Sequence, residues 1–107
     1  MRTRTVNFTR DTLPFLMSTI FQLYGLRFFY RMFDLTEPCH VHAGSGRKLC
    51  KYWIRADGTF VQEFAYYFTK SELKKIEKAI ETNMTTIKVS YEDDCKRAGI
   101  TPNYYKK

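Results

Sequence analysis

The stretch that decides the fold is residues 47–64, RKLCKYWIRADGTFVQEF. Asp57-Gly58 stands between two runs of strand-forming residues, Arg47 to Arg55 and Thr59 to Phe64. This dipeptide supplies the positive φ values that a tight primed turn needs. The sequence therefore predicts an antiparallel hairpin with a tight primed turn at Asp57-Gly58.

Alternation along the first strand of this hairpin separates its side chains into two rows, because successive residues of a strand point to opposite faces. One row is predicted to point inward: Lys48, Cys50, Tyr52 and Ile54. The other row is predicted to face outward and combines three cations with an aromatic ring: Arg47, Lys51, Trp53 and Arg55. The inward row predicts a layer that covers only one face of the sheet.

The residues before the hairpin predict further strands. An apolar run begins at Thr19, and Gly25 divides it into a short lead-in and a strand from Arg27 to Phe33. A turn follows, and Cys39 to Ala43 then continues as a short strand before Gly44-Ser45-Gly46 reverses the chain.

Two helices are predicted after the hairpin. Thr69 and Glu72 have the spacing of a capping box, which marks the start of the first helix. Apolar residues then recur every three or four positions, which is typical of a helix with one buried face. Asn83 can end this helix and cap a second, which stops at Gly99.

Length and composition fit one globular domain: the chain has 107 residues, of which 44% are hydrophobic and 27% charged. Residues 17–100 are predicted to form a single α+β domain, with an N-terminal extension over 1–16 and a frayed tail over 101–107. The predicted fold is a small antiparallel β-meander of three or four strands, packed on one face by two C-terminal helices.

The charge and the cysteines restrict the class of partner and the compartment. A formal charge of +7 favours anionic partners such as nucleic acid or an acidic protein. Cys39, Cys50 and Cys95 are odd in number and widely spaced, which predicts neither a disulfide framework nor a cysteine metal site and favours the cytoplasm. No signal peptide or uncharged run of membrane-spanning length is predicted.

Five segments carry a resemblance, in the order Thr19-Ile20, Tyr24 to Phe28, Pro38 to His42, Glu63 to Ala65 and the charged helix Glu72 to Glu77. Together they resemble the small bacterial family of domain of unknown function 4160. Its members usually have Pro-Pro-His where this chain has Pro38-Cys39-His40. The resemblance implies a protein partner encoded by a neighbouring gene, in a toxin–antitoxin-like or regulatory pair, and it identifies no reaction.

His40 and His42 are the candidate catalytic residues. On a strand they project from the same face, and imidazoles titrate near neutral pH, so the pair can divide acid and base roles. They are also metal-ligand candidates, but a third ligand must come from elsewhere, such as Asp34 or Glu37. An ordinary structural role for both histidines is the alternative, and no cofactor is predicted.

The outward row Arg47, Lys51, Trp53 and Arg55 is the candidate surface for RNA or a protein partner, because cations beside an aromatic ring can neutralise phosphates and stack bases. The alternative for this row is a solvated face that only prevents edge aggregation. The leading hypothesis is an interaction module, and the alternative is a small ribonuclease-like or metal-assisted hydrolase that uses His40 and His42. Both expect the histidines and the outward row on one solvent-facing side, opposite the helices.

Overall fold

The computed structural model describes residues 17–31 and 35–107 of the protein, so the predicted extension over 1–16 lies outside the described residues. Five strands precede two helices in the chain. The strands are β1 (Met17–Leu23), β2 (Leu26–Arg31), β3 (His40–Ser45), β4 (Lys48–Ile54) and β5 (Phe60–Tyr66), and the helices are α1 (Lys70–Thr82) and α2 (Met84–Ala98).

The strands form one antiparallel meander in the order β1-β2-β3-β4-β5. The predicted α+β class and antiparallel sheet are confirmed, but the sheet has five strands and not three or four. The unexpected strand is β1, which was predicted only as a lead-in. Tyr24 and Gly25, at φ values of 56° and 72°, form a two-residue turn that pairs Leu23 with Leu26. Tyrosine is an unusual residue for this turn, so no local pattern predicts a hairpin here.

The predicted β4–β5 hairpin is present, but its turn is not the primed turn expected, because Gly58 has a positive φ and Asp57 does not. Arg55 donates its backbone N–H to Thr59, so the loop contains three residues, with Gly58 at φ 89°. The Asp57 carboxylate accepts hydrogen bonds from the Thr59 backbone N–H and hydroxyl. These side-chain bonds favour the wider loop because they hold Thr59 at its end.

One face of the sheet contributes to a hydrophobic core that includes residues of both helices. Cys50, Tyr52 and Ile54 are fully buried in it, as the alternation predicts. The helices contribute the following buried side chains: Ile76, Ala79, Ile80, Ile87, Tyr91 and Cys95. Lys48 was also predicted inward, but it stays half-exposed and pairs with Glu72, because β4 begins there at the end of the sheet.

The start of α1, the break between the helices and the end of α2 lie where the sequence predicts them. The Thr69 hydroxyl accepts from the Glu72 backbone N–H, and the Glu72 carboxylate accepts from the Thr69 backbone N–H, which completes the predicted capping box. Asn83 separates the helices as predicted, but its side chain donates to the Ala79 carbonyl and does not cap α2. Gly99 ends α2 in the left-handed region at φ 72°. No helix of the described ranges is long and apolar enough to span a membrane.

The C-terminal segment is attached to the sheet, whereas the sequence predicts a frayed tail over 101–107. Asn103 accepts a hydrogen bond from the Cys39 backbone N–H, and Tyr105 donates its N–H to the Ile54 carbonyl. Tyr104 packs partly buried against the hydrophobic core. These backbone bonds, together with aromatic contacts, hold a segment that shows no strand pattern of its own.

Candidate functional site

The two histidines lie on the face of the sheet opposite the hydrophobic core. In the β3–β4 ladder His40 pairs with Trp53 and His42 pairs with Lys51. The His40 ring centroid lies 5.1 Å from that of His42 and 5.5 Å from that of Trp53. The structure therefore brings both imidazoles together with two members of the predicted outward row, Lys51 and Trp53.

The expectation that these imidazoles face solvent is wrong. His40 is 4% exposed and His42 is 2% exposed. The His42 ring stacks on Phe29, with centroids 5.2 Å apart, and lies 6.3 Å from the Phe64 ring. Strand alternation placed the histidines on the correct face, but it did not show that neighbouring strands surround them with large rings.

Burial also changes the acid–base behaviour of His42. Its pKa is lowered from 6.5 to about 3, mainly by loss of hydration, and the nearby charges of His40, Arg31 and Lys51 act in the same direction. His42 is therefore neutral at physiological pH. A general acid or base works best with a pKa near the working pH, so His42 is poorly suited to proton transfer.

The residues described do not assemble a metal centre around the histidines. No group of three or more His, Cys, Asp or Glu side chains with metal-binding geometry occurs within 17–31 and 35–107. Of the two candidate third ligands, Asp34 lies outside the described residues. Glu37 instead accepts a hydrogen bond from the Lys51 ammonium at 2.8 Å and lies 3.9 Å from His40 Nδ1.

The three cysteine thiols are buried, and their pKa values are raised by that burial. All three are free and buried. Burial raises the pKa of the Cys39 thiol to about 12, and it raises that of Cys50 to about 12 as well. A thiol with such a pKa stays protonated at neutral pH and is a poor nucleophile.

The predicted outward row is divided by its contacts. Lys51 pairs with Glu37, and its ammonium lies 4.1 Å from the Trp53 ring centroid. Trp53 donates its indole N–H to Glu63 and stacks on Tyr105. These contacts engage the charge of Lys51 and the ring of Trp53 within the protein itself.

The two arginines of the row lie at opposite ends of β4. Arg55 donates two hydrogen bonds to the backbone oxygen of Lys107, at 3.1 and 2.7 Å, and is therefore tied to the C-terminal segment. Arg47 precedes β4, is exposed, and places its guanidinium 4.8 Å from the Tyr67 ring centroid. Of the four residues, Arg47 is the one left accessible beside an exposed aromatic ring.

Arg47 belongs to a cleft at one end of the sheet that the sequence analysis missed. We call it the hairpin cleft, because the β1–β2 turn, the β3–β4 turn and the end of β5 meet there. It consists of two adjoining open cavities of about 380 and 600 Å³. Its cations and tyrosines are Arg27, Arg47, Lys48, Tyr24, Tyr66 and Tyr67.

The hairpin cleft is electropositive. No carboxylate is among the described residues that line its two cavities. The Arg27 guanidinium donates to the Thr19 hydroxyl at 2.9 Å and lies 5.5 Å from the Phe29 ring centroid. Neither Arg27 nor Arg47 forms an ion pair within the part of the chain that the structure describes. Lys48 differs, because it pairs with Glu72 at the edge of the cleft.

Two of the cleft tyrosines have an unfavourable backbone conformation. Tyr24 has φ 56° and Tyr67 has φ 67°, and within the described ranges they are the only residues other than glycine at positive φ. Their side chains are also the most exposed aromatic ones there, at 59% and 67%. The sequence signals available for this cleft were Tyr24-Gly25 and the pair Tyr66-Tyr67, but their proximity depends on the meander.

Comparison with curated proteins gives no match, and neither does comparison with solved structures. The family model described as "Domain of unknown function (DUF4160)" matches residues 25–92. This range contains both histidines and every cleft cation and tyrosine except Tyr24. Because the matched range covers more than half of the 107 residues, the chain belongs to the DUF4160 family.

Proposed function

We propose that this protein is an interaction module that binds single-stranded RNA in the hairpin cleft. One observation carries the proposal: three cations and three tyrosines share this cleft, and no described lining residue is acidic. The net charge of +7 acts in the same direction, because it attracts polyanions at long range.

Single-stranded nucleic acid fits the chemistry of the cleft better than a generic anion does. Arginine and lysine neutralise phosphates, and exposed aromatic rings stack with unpaired bases. Arg47 lies over the ring of Tyr67, so a phosphate contact and a stacking surface lie side by side. An acidic peptide would complement the cations but would leave the tyrosines without a specific role.

The size of the cleft limits the expected complex. Cavities of about 380 and 600 Å³ match the range of small-ligand sites, so they can hold a short stretch of nucleotides. With few phosphate contacts, binding is expected to be weak, with a dissociation constant of about 1 to 100 μM at physiological salt.

Location and partner remain part of the proposal. Three free, buried cysteines support a reducing compartment such as the cytoplasm. The family resemblance implies a protein partner encoded by a neighbouring gene, and an acidic partner would compete with RNA for the same cleft. That partner is therefore included as an arm of the experiment.

The hydrolase hypothesis receives less support from the geometry. Its two catalytic candidates, His40 and His42, are buried, and the pKa of His42 is far below neutral. Its direct test is His42→Ala, which should leave RNA integrity in cells unchanged if the histidines are structural. Loss of RNA cleavage in a folded His42→Ala protein would instead establish the hydrolase.

The binding experiment uses fluorescence anisotropy with a labelled ten-nucleotide RNA over a series of salt concentrations. The logarithm of the affinity is expected to fall against the logarithm of the salt concentration with a slope of about −2, and Arg47→Ala should reduce this slope by about 0.7. Lys106→Ala is the matched control, because it removes one exposed charge near the opposite end of the sheet.

The competing arms use single-stranded DNA, an acidic polyglutamate peptide and the neighbour-encoded protein. Salt-dependent RNA binding that Arg47→Ala weakens and Lys106→Ala does not would support the proposal. The proposal would be overturned if the protein bound no RNA at low salt, or if it bound only the polyglutamate peptide or the neighbour-encoded protein.

A further inference from the structure

We propose that Tyr24 and Tyr67 are base-stacking residues that hold nucleobases at the hairpin cleft. This inference rests on the proposed RNA function and names the residues that recognise the bases. It goes beyond charge, since the two side chains provide aromatic surface where the cations provide phosphate contacts.

Tyr24 and Tyr67 lie close together in the fold. Both tyrosines line the same open cavity of about 380 Å³, together with Arg47 and Lys48. Tyr24 belongs to the β1–β2 turn, and Tyr67 directly follows β5, so residues far apart in the chain contribute to one cavity. The cavity is large enough for a group of nucleotide size.

Both tyrosines are exposed to solvent. Tyr24 is 59% exposed and Tyr67 is 67% exposed, so neither ring contributes much to the core. Neither ring stacks on another aromatic ring of the described residues. Tyr66 differs, because its ring already stacks on Phe64 at 5.0 Å. Tyr24 and Tyr67 therefore keep aromatic surface available for a base.

Both tyrosines have a backbone conformation that is unfavourable for their residue type. At φ 56° and 67°, both residues occupy the left-handed region, where a bulky side chain is unfavourable and asparagine or glycine is preferred. Asn at either position would therefore suit the positive φ value better than Tyr does. Local rules of this kind are broken most often at functional sites, and here both exceptions line one cavity.

A cation contacts each of the two rings. The Arg47 guanidinium lies 4.8 Å from the Tyr67 centroid, and the Lys75 ammonium lies 5.8 Å from the Tyr24 centroid. Each cation lies over one face of its ring, so a base would stack on the other face. A nucleotide whose base stacks on such a ring has its phosphate within reach of that cation.

The experiment compares Tyr24→Asn and Tyr67→Asn with the conservative variants Tyr24→Phe and Tyr67→Phe. Each Asn variant should weaken binding of a ten-nucleotide RNA by about 5- to 100-fold, because it removes one stacking surface. Each Phe variant should bind like the wild type, because it keeps the ring. The melting temperature of the Asn variants should be equal to or above that of the wild type, because Asn suits the backbone.

An abasic oligonucleotide of the same length separates stacking from charge. It should bind more weakly than RNA to the wild type and equally well to the wild type and the Asn variants. Arg47→Ala should weaken both ligands. Normal RNA binding by both folded Asn variants would overturn the stacking role and leave the proposed function intact. Absence of RNA binding by the wild type would overturn both.

Discussion

The Trp53 indole lies flat on the Tyr105 phenol ring, with centroids 5.0 Å apart and an interplanar angle of 6°. This contact joins β4 to the C-terminal segment, which the sequence analysis treats as a frayed tail. The Tyr105 backbone N–H also donates to the Ile54 carbonyl at 3.0 Å. The chain end is therefore a structural part of the sheet face that carries the histidines.

Tyr105→Ala should destabilise the protein by about 1 kcal/mol beyond the loss of buried area, because it removes a stacked aromatic pair. Trp53 is the only tryptophan, so its fluorescence reports on the contact directly. We expect a shift of its emission to longer wavelength and a lower midpoint of urea denaturation. Lys106→Ala is the control, and an identical effect of both variants would contradict the assigned role of the stack.

The Cys39 backbone N–H donates to the Asn103 carbonyl at 2.7 Å, and proline lacks that donor. Cys39→Pro should therefore loosen the C-terminal segment. Cys39→Ala keeps the N–H and controls for loss of the side chain. Hydrogen exchange at the Tyr105 amide should be faster in the Pro variant than in the Ala variant, and equal exchange would refute the role of this bond.

Stability should fall on mild acidification because of His42. Its pKa is about 6.5 in the unfolded chain and about 3 in the folded protein, so below pH 6.5 the unfolded state binds more protons. Above pH 6.5, His42 is neutral in both states and does not lower the stability. As the pH falls from 6.5 toward 3, the unfolded chain gains a proton that the folded protein does not, so the free energy of unfolding falls. The free energy of unfolding should decrease by up to about 1.4 kcal/mol per pH unit.

The contribution of His42 is measured between pH 6.5 and about 5.5, by comparison with a variant that lacks the imidazole. Hydrogen bonds lower the pKa of the Asp57 and Glu72 carboxyls, so the pH dependence that these two groups contribute lies mainly below this window. His42→Phe keeps an aromatic ring against Phe29 and removes the titrating group. Urea denaturation at several pH values should show a flatter pH dependence in this variant, and an unchanged slope would contradict the assignment to His42.

Thr69→Ala should lower stability by about 1 kcal/mol, because it removes the side-chain acceptor at the start of α1. The Glu72 backbone N–H would then lose the Thr69 hydroxyl as its partner. Ser71→Ala is a suitable control on the same turn, since Ser71 is exposed. Thermal unfolding followed by circular dichroism measures the difference, and equal melting temperatures for the two variants would disprove the contribution of the cap.

Local patterns predicted several parts of this fold correctly. The capping box at Thr69, the helix break at Asn83 and the inward direction of Tyr52 all depend on residues close in sequence, and each is confirmed. Two local predictions were wrong, the primed turn at Asp57-Gly58 and the Asn83 cap of α2, and the other failures lie where distant segments decide. The Tyr24-Gly25 turn and the docked C-terminal segment depend on pairing partners that no local period reveals.

The same division applies to the candidate site. Alternation predicted that His40 and His42 share a face with Lys51 and Trp53, and the ladder confirms it. It did not predict their burial, because burial depends on rings from β2 and β5 that the sheet places around them. Likewise, only the meander brings Tyr24, Arg47 and Tyr67 to one end of the sheet.

The sequence by itself therefore determined the class of fold, the helix boundaries and the two faces of β4, because these follow from steric and hydrogen-bonding rules within a few residues. The tertiary structure decided which charged and aromatic groups stay accessible. Accessibility depends on neighbours in space, whatever their distance along the chain. Lys51 pairs with Glu37, whereas Arg47 remains exposed beside Tyr67.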